Sequence, residues 1–320
     1  MFDAGLTPLE GGHSGETFLG TSGGEKVVVR ILAARSAQRG PDAVDIDAAV
    51  LCLVRGLLPV PEVLEVRRSD PVADVPGILV TSFLLGERLD LVLADADEAL
   101  QGRIGVHVGD VLTRLNRMPF LRGGPFVDAD LRLGSFGSGA ADLRTFVEHV
   151  VPGSALEAWA PEDLDRLFAL ADHAQDLLDP IARRCLVHSD FNPKNLLVDP
   201  GTGEVTGVLD WEFAHAGLPV TDLGNLLRFE ESPAFVESLL DSVEIDGLPG
   251  REDGGAGTSD DGTVNAGTGR MHSARLLELA RAADLWALVD LAGRAGENPV
   301  AACAHDLLLT LTRTGDLHPA

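Results

Sequence analysis

The first third of the chain alternates short apolar runs with glycine-rich turns, a pattern typical of strands joined by hairpins. Residues 6–32 predict three short strands, the last over the β-branched run at 26–32. Apolar residues at helical spacing predict one amphipathic helix over 42–57. Two further apolar runs, at 63–66 and 78–85, predict two more strands. This part of the chain is therefore expected to form a small sheet with one helix.

Beyond residue 85 the apolar pattern becomes mainly helical. Helical spacing covers residues 94–117, and two strong helices are predicted over 273–292 and 300–312. Residues 247–270 consist mostly of Gly, Ser, Thr and Asp, so a flexible loop is expected there, as a lid or as a simple insertion. Strands followed by helices indicate an α+β fold.

Two segments between apolar runs carry candidate chemistry. They read L-V-H-S-D-F-N-P-K-N-L-L-V at 186–198 and V-L-D-W-E-F at 208–213, and they contain Asp190, Asn195 and Asp210. One carboxylate can orient an attacking hydroxyl and accept its proton, while an amide oxygen and a second carboxylate hold magnesium on nucleotide phosphates. The alternative is an ordinary surface turn, which Asp, Asn and Pro all favour. The combined spacings favour phosphoryl transfer.

The spacing H-x-D-x-x-x-x-N resembles the catalytic loop of protein kinases, and Asp210 falls where their metal-binding aspartate stands. The wording H-S-D-F-N-P-K-N followed by L-D-W-E is similar to the aminoglycoside phosphotransferase family of small-molecule kinases. The resemblance runs from residue 11 to about 228. It implies a bilobal protein-kinase-like fold, with an antiparallel sheet lobe and one helix over 1–85, a larger helical lobe over 86–320, and the nucleotide in the cleft.

The resemblance also implies roles for residues of the central loop. Asp190 is expected to be the catalytic base, and Asn195 and Asp210 are expected to hold Mg²⁺. The roles of two neighbouring residues stay open. Lys194 can neutralise the transferred phosphate or simply be solvated, and Glu212 can reach a second metal or play no part in metal binding. Structural support of the site is expected from His188, Asp222 and Asp47.

The same resemblance implies that the nucleotide site draws on the sheet lobe. A glycine-rich turn lets backbone amides approach phosphates closely, and one strand residue supplies a cation. Arg30 is the candidate for that cation, and Lys26 on the same strand face is its rival. The helix carboxylate that pairs with the cation is expected to be Asp47, with Asp45 second. The turn and purine contacts are assigned to Gly11, Gly12, Ser14, Gly15, Ser82, Phe83 and Leu84.

The amino-acid composition limits which binding partners and which cellular compartment are expected for this protein. A net charge of −25 over 320 residues argues against nucleic acid and anionic membranes, and it favours either a cationic acceptor or simply solubility. The sequence contains no run of eighteen or more uncharged apolar residues, so no membrane span is expected. The first residues lack the features of a signal peptide. The three cysteines have no C-x-x-C spacing, so neither a disulfide framework nor a zinc site is expected. This cysteine pattern favours a reducing cytoplasm as the location of the protein.

These features predict an ATP- or GTP-dependent phosphotransferase acting on a hydroxyl of a small molecule, such as an aminoglycoside-like antibiotic, a sugar or an amino alcohol. One alternative is a catalytically silent nucleotide-binding module, which would be favoured if Asp47 does not pair with Arg30. A protein kinase is less favoured, because no A-P-E segment follows Asp210 and D-W-E replaces D-F-G. A structural interaction protein would make the loop spacing a coincidence.

Overall fold

The computed structural model describes residues 5–9, 16–32, 39–70, 72–73, 75–137, 139, 141–230, 232–248 and 266–317. Within these ranges the chain forms an α+β structure, which confirms the predicted fold class. The strands are β1 Thr7–Pro8, β2 Glu16–Ser22, β3 Glu25–Leu32, β4 Val63–Arg67, β5 Gly77–Ser82, β6 Glu87–Arg88, β7 Pro119–Phe120, β8 Gly124–Pro125, β9 Arg184–Val187, β10 Leu196–Val198, β11 Val205–Val208 and β12 His215–Gly217. The α-helices are α1 Ala43–Val54, α2 Leu89–Asp95, α3 Glu98–Asn116, α4 Leu143–Val150, α5 Pro161–Leu178, α6 Thr221–Leu227, α7 Pro233–Ser242, α8 Ala266–Gly293 and α9 Pro299–Thr314.

The first five strands form one antiparallel sheet in the order β1-β2-β3-β5-β4. The central strand β3 alternates buried and half-buried residues, as expected for a strand with two different faces. Val27 and Val29 pack with Val80 in a small cluster, while α1 buries its apolar side in the main core. Arg30 follows Val29 and therefore points to the face opposite to that cluster.

The remaining described elements are mainly helices, with two small antiparallel sheets among them. One sheet has the order β11-β10-β6 and the other β7-β9-β12-β8. The main core is continuous from α1 into these helices. A backbone hydrogen bond from Val208 N–H to Pro59 O, 2.8 Å long, joins the connection after α1 to the end of β11. Among the described residues, no helix is both long enough and apolar enough to cross a membrane.

Two predicted elements differ from those observed. The helix predicted over 94–117 is split into α2 and α3, because Asp97 adopts an extended backbone and its side chain accepts a 2.8 Å hydrogen bond from Leu100 N–H as an N-cap. The range 247–270 is not wholly a loop, because its last five residues belong to α8. Those residues continue directly into an apolar helical pattern, which extends the helix toward its N-terminus. Residues 249–265 lie outside the described part of the chain.

Helix α3 packs closely against α7 through glycine. A Cβ added at Gly105 would lie 2.5 Å from Phe235 O and 2.9 Å from Leu239 N. Both atoms belong to the backbone of α7, so the clash cannot be relieved by rotating a side chain. The absence of a side chain at Gly105 therefore sets the distance between the two helices.

We expect Gly105→Ala to lower the free energy of unfolding by about 1–3 kcal/mol, because overpacking against backbone outweighs the gain of about 1 kcal/mol in helix propensity. Gly102→Ala is the matched control on the same helix. There the new Cβ would meet only Ser238 Oγ at 3.2 Å, a group that can rotate away. This variant should be as stable as wild type or slightly more stable in denaturant titrations. Equal stabilities for the two variants would contradict this account of the packing.

Candidate active site

Two strand pairs place the candidate loops side by side. The loop 188–195 connects β9 to β10, and the segment 209–214 connects β11 to β12. Strands β10 and β11 pair with each other, and so do β9 and β12. The Leu209 N–H donates to Asn195 O at 2.8 Å, which joins the two loops directly. The sheets therefore bring together segments that are about fifteen residues apart in the chain.

Asp190 is held by the side chains of two asparagines. Asn192 Nδ2 donates to Asp190 Oδ1 at 2.8 Å, and Asn195 Nδ2 donates to Asp190 Oδ2 at 2.9 Å. Asn195 Nδ2 also donates to the Asp190 carbonyl at 2.9 Å. Burial raises the pKa of Asp190, the nearby Asp210 raises it further, and the two asparagine donors oppose that rise. The carboxylate is thus fixed in orientation and more basic than an exposed aspartate.

His188 lies fully buried beneath the loop. Its Nε2 is 2.7 Å from Leu209 O, and Asp190 N–H donates to its Nδ1 at 3.2 Å. A neutral ring with the proton on Nε2 satisfies both contacts. Burial lowers the pKa of His188 to about 4, in agreement with a neutral ring. The ring of Trp211 covers it, with ring centroids 4.7 Å apart.

Asp222 holds the start of the loop from the first turn of α6. Its buried carboxylate accepts hydrogen bonds from His188 N–H at 2.8 Å and from Ser189 N–H at 2.7 Å. Ser189 has φ of 67°, a left-handed conformation that is costly for a residue with a Cβ. Burial raises the pKa of Asp222 to about 7, although both N–H donors favour the ionised form. The N-cap residue of α6 is Val220, whose side chain makes no capping hydrogen bond.

Asp210 is the second carboxylate facing the loop, and it adopts a left-handed backbone with φ of 63°. Its Oδ1 lies 2.7 Å from Arg30 Nη1, and Arg30 Nη2 lies 3.1 Å from Glu212 Oε2. Burial alone would lower the pKa of Arg30, but Asp210, Glu212 and the more distant Asp47 outweigh it and hold that pKa above its ordinary value. Arg30 therefore joins the sheet to the segment that carries Asp210.

The structure corrects one sequence prediction, because the expected ion pair between Asp47 and Arg30 is not formed. Asp47 is buried on α1, and its carboxylate accepts from both terminal nitrogens of Arg39, at 3.1 and 2.5 Å. Glu212 instead supplies the buried carboxylate beside Arg30. Asp45, the second candidate, pairs with Arg68. The shorter Asp side chain at 47 finds a partner next to its own helix rather than across to β3.

The rival cation Lys26 lies elsewhere. Its Nζ is 5.1 Å from the centre of the Phe83 ring, at the end of β5. The neighbouring backbone donors are already engaged, because Ser82 N–H donates to Glu62 O at 2.9 Å and Phe83 N–H to Lys26 O at 3.4 Å. These two amide donors are therefore engaged within the protein, and the purine contacts expected of Ser82, Phe83 and Leu84 stay a prediction. Leu84 lies in the irregular segment that follows.

The phosphate turn predicted at Gly11, Gly12, Ser14 and Gly15 lies outside the described residues. Lys194 is exposed, and its backbone N–H donates to Asn192 Oδ1 at 3.0 Å. Its position therefore leaves both of its predicted roles open.

The donor set of this cluster fits Mg²⁺ bound together with a nucleotide. The side-chain nitrogen of Asn195 donates both of its hydrogen bonds to Asp190, which leaves the side-chain oxygen for other partners. Asp210 already attracts a cation, the guanidinium of Arg30. No group of three or more His, Cys, Asp or Glu side chains in the described ranges is arranged to hold a metal. Two protein oxygens completed by phosphates and water match the habits of Mg²⁺.

Sequence reasoning missed the role of Asn192. Its side chain accepts from Lys194 N–H as the N-cap of a short 3₁₀ turn, Pro193–Asn195, and also donates to Asp190. The Asn-Pro pair was a usable signal, because Asn at an N-cap followed by Pro is a common helix start. Trp211 was also missed, because its burial over His188 depends on the meeting of the two loops.

Solved structures of the same fold include two antibiotic kinases. Aminoglycoside phosphotransferase APH(4)-Ia is 19% identical with a TM-score of 0.63, over 98% of this chain and 95% of that one. A thermostable mutant of that enzyme has been solved in a ternary complex with AMP-PNP and hygromycin B. Aminoglycoside 2'-phosphotransferase-IIIa, solved with GDP, is 14% identical with a TM-score of 0.67, over 98% of this chain and 94% of that one. These likenesses confirm the bilobal protein-kinase-like fold.

Curated relatives match only parts of the chain. Acyl-CoA dehydrogenase family member 11 from Mus musculus is 42% identical over 55 residues, which is 17% of this chain and 7% of that protein. The protein of the same name from Pongo abelii is 24% identical over 187 residues, which is 55% of this chain and 23% of that protein. The chain thus spans less than a quarter of the length of these relatives.

A protein-family model matches residues 5–254, a range that includes both candidate loops and all the site residues placed above. That model describes the phosphotransferase enzyme family. It covers more than half of the chain, and the fold agrees with it. The chain belongs to the phosphotransferase enzyme family.

Proposed function

We propose that the chain transfers the γ-phosphoryl group of ATP or GTP to a hydroxyl of a small molecule. The observation that carries this proposal is the joined cluster of Asp190, Asn195 and Asp210. One asparagine nitrogen fixes the candidate base, and the backbone bond from Leu209 to Asn195 brings Asp210 beside it. Orienting a hydroxyl and holding phosphates are the two tasks that phosphoryl transfer requires of a protein.

Asp190 is the proposed catalytic base. The acceptor oxygen forms a bond to the γ-phosphorus, while the bond from that phosphorus to the β–γ bridging oxygen breaks. The nucleoside diphosphate leaves with the electron pair, and the acceptor proton passes to Asp190. Asn192 and Asn195 hold the carboxylate in one orientation throughout, and Asp222 keeps the backbone of the loop in place.

Asn195 and Asp210 would hold Mg²⁺, which when bound screens the phosphate charge and fixes the phosphate geometry. Arg30 is placed to contact phosphate oxygens as a fork once a nucleotide offers them. In this structure its guanidinium contacts Asp210 and Glu212. Binding of the nucleotide would therefore redistribute contacts of Arg30 from carboxylate to phosphate.

The identity of the nucleotide and that of the acceptor are both to be tested with a panel of compounds. One structural neighbour was solved with AMP-PNP and another with GDP, so ATP and GTP are both candidates. Hygromycin B in the former supports including aminoglycosides among the acceptors. Sugars, amino alcohols and macrolides complete the set of hydroxyl compounds.

A catalytically silent nucleotide-binding module is the second candidate, and one observation favours it: Asp47 pairs with Arg39 and not with Arg30. The buried Glu212 beside Arg30 argues for an active enzyme, because it supplies a substitute carboxylate. Tight nucleotide binding without turnover on any acceptor would favour the silent module.

We expect wild-type protein with Mg²⁺ and ATP or GTP to show slow nucleotide hydrolysis that a suitable acceptor stimulates. Asp190→Ala should lower the stimulated rate about 10²–10⁴-fold, because the hydroxyl loses its oriented proton acceptor. Asp172→Ala, the same change on the exposed side of α5, is the control and should leave the rate unchanged. Failure of the wild-type protein to bind any magnesium nucleotide would refute the proposed function.

The acid limb of the kcat/KM profile should lie above the ordinary range of an aspartate, because the raised pKa of Asp190 leaves it protonated at higher pH. Asn192→Ser keeps an oxygen that can cap Lys194 N–H but removes the donor to Asp190. Loss of that donor disfavours the ionised carboxylate, so the limb should move to still higher pH. An unchanged limb in a variant with wild-type thermal stability would show that this base does not control the profile.

Asp222→Asn should act on the chemical step rather than on nucleotide binding. The amide can accept one of the two backbone N–H groups but turns its own donors toward the other, leaving that buried N–H unpaired at a cost of about 1–3 kcal/mol. We expect kcat to fall at least about tenfold while the nucleotide Kd, measured by calorimetry, stays within about twofold. A change in Kd alone would contradict a positioning role.

A further inference from the structure

A cavity lies where the end of α6 meets α8 and α9. Its volume is about 710 Å³, which is within the usual range for small-molecule sites. Leu307 and Leu311 line one wall, and Cys303 from the same helix also faces it. Arg228 and Arg281 supply its cations. The cavity therefore combines an apolar wall with two guanidinium groups and the carboxylate of Glu230.

The two arginines differ in their partners. Arg228 is buried and donates two hydrogen bonds to Asp284, from Nε to Oδ2 at 2.8 Å and from Nη2 to Oδ1 at 2.6 Å. Asn225 Nδ2 also donates to Asp284 Oδ1 at 2.9 Å, so this carboxylate is fully engaged. Burial opposes the charge of Arg228, but Asp284 holds its pKa above the ordinary value.

Arg281 has no comparable partner. Its Nη1 donates to the carbonyl of Arg228 at 3.1 Å, and its buried Nε has no hydrogen-bond acceptor. Within the described residues, no carboxylate oxygen comes within 4.0 Å of its guanidinium. Burial lowers the pKa of Arg281, and the neighbouring Arg228 adds to that effect while Asp284 opposes it. A half-buried cation with an unpaired buried Nε gains from any anion that enters the cavity.

The cavity adjoins the candidate catalytic loop through α6. Asp222 at the start of this helix holds the loop, and Arg228 directly follows its last residue. Six residues of helix separate the two, a distance of about 9 Å along the axis. Arg228 is near enough to Asp190 to lower the pKa of that carboxyl. A ligand in the cavity is thus within a short chain length of the proposed base.

We propose that this cavity binds the acceptor, and that Arg281 pairs with a carboxylate at the end of the acceptor opposite its reactive hydroxyl. This inference rests on the proposed phosphotransferase function and names a substrate class for it: hydroxy acids with an apolar body. The apolar body lies against Leu307 and Leu311. The carboxylate supplies the acceptor that the buried Nε of Arg281 lacks.

The unmet donor of Arg281 favours an anionic acceptor over a cationic one in this cavity. The overall charge of −25 would attract a polycation to the protein, but charges farther apart than about 8–10 Å in solution are largely screened. A half-buried guanidinium in contact with the ligand is screened far less. Glu230 also lines the cavity, but its Oε1 already accepts a hydrogen bond from Ser232 N–H at 2.7 Å. The buried Nε of Arg281 has no acceptor, so the unmet group in this cavity is a donor that an anion can satisfy.

Cys303 gives a readout of occupancy that does not depend on turnover. It is exposed and lines the cavity, while Cys52 is exposed on α1 far from it and Cys185 is buried. The rate of N-ethylmaleimide alkylation at each cysteine can be followed by peptide mass spectrometry. The probes are 8-hydroxyoctanoate, 1,8-octanediol and 8-amino-1-octanol, which share one carbon frame and differ only in the terminal group.

We expect saturating 8-hydroxyoctanoate to slow alkylation of Cys303 at least about tenfold and to leave Cys52 unaffected, because a group filling the cavity excludes the reagent. The diol and the amino alcohol should give little protection. Arg281→Gln should abolish protection by the carboxylate, and Arg281→Lys should retain part of it. Arg103→Gln removes one positive charge from an exposed site on α3 and should behave as wild type.

Equal protection by the diol, or full protection in Arg281→Gln, would overturn the proposal. So would a lack of protection by every hydroxy acid from six to ten carbons. The measurement is made without nucleotide and is repeated in Asp190→Ala, where protection should persist. If carboxylate-specific protection holds while no acceptor is ever phosphorylated, the proposed function fails and the anion site stands.

Discussion

The geometry of the site depends on the two hydrogen bonds that Asp222 accepts from the backbone of the catalytic loop. They hold Ser189 in a left-handed conformation that its own side chain disfavours. With the backbone fixed there, His188 turns inward beneath Trp211 and Asp190 turns outward between two asparagines. A single buried carboxylate on α6 thus determines which groups of the loop face a substrate.

Electrostatic balance is the second constraint on this region. Burial and the nearby Asp210 raise the pKa of Asp190, and Glu212 lies beside Asp210 on the other side of Arg30. Arg30 offsets two of these carboxylates from the sheet side. The same crowding that makes Asp190 more basic also makes the position beside Asp210 attractive to cations. Proton acceptance and cation binding therefore follow from one arrangement of charges.

Close helix packing then links this region to the cavity beyond it. Gly224 lies against α8 so tightly that a Cβ there would overlap Ala280 O. This approach brings Arg228 onto Asp284 and leaves Arg281, one turn earlier on α8, at the edge of the cavity. Asp284 can satisfy only one arginine fully. The second guanidinium is consequently left to a ligand, which is the basis for the proposed acceptor class.

The sequence by itself determined the fold class, most element positions and the grouping of Asp190 with Asn195. These features were accessible because they are local. Strand and helix periods are read from neighbouring residues, and the contacts of Asp190 reach only two and five positions along the chain. The break before α3 was missed because one capping side chain, Asp97, outweighed a continuous apolar pattern.

Only the tertiary structure decided the partners of charged groups far apart in the chain. Spacing cannot tell that Arg30 meets Glu212 while Asp47 turns to Arg39. Nor can it show that Arg228 pairs with Asp284 while no carboxylate of the described residues lies within 4.0 Å of Arg281. Such pairings depend on where whole elements pack, and a charged side chain binds whichever opposite charge that packing brings within a few ångströms.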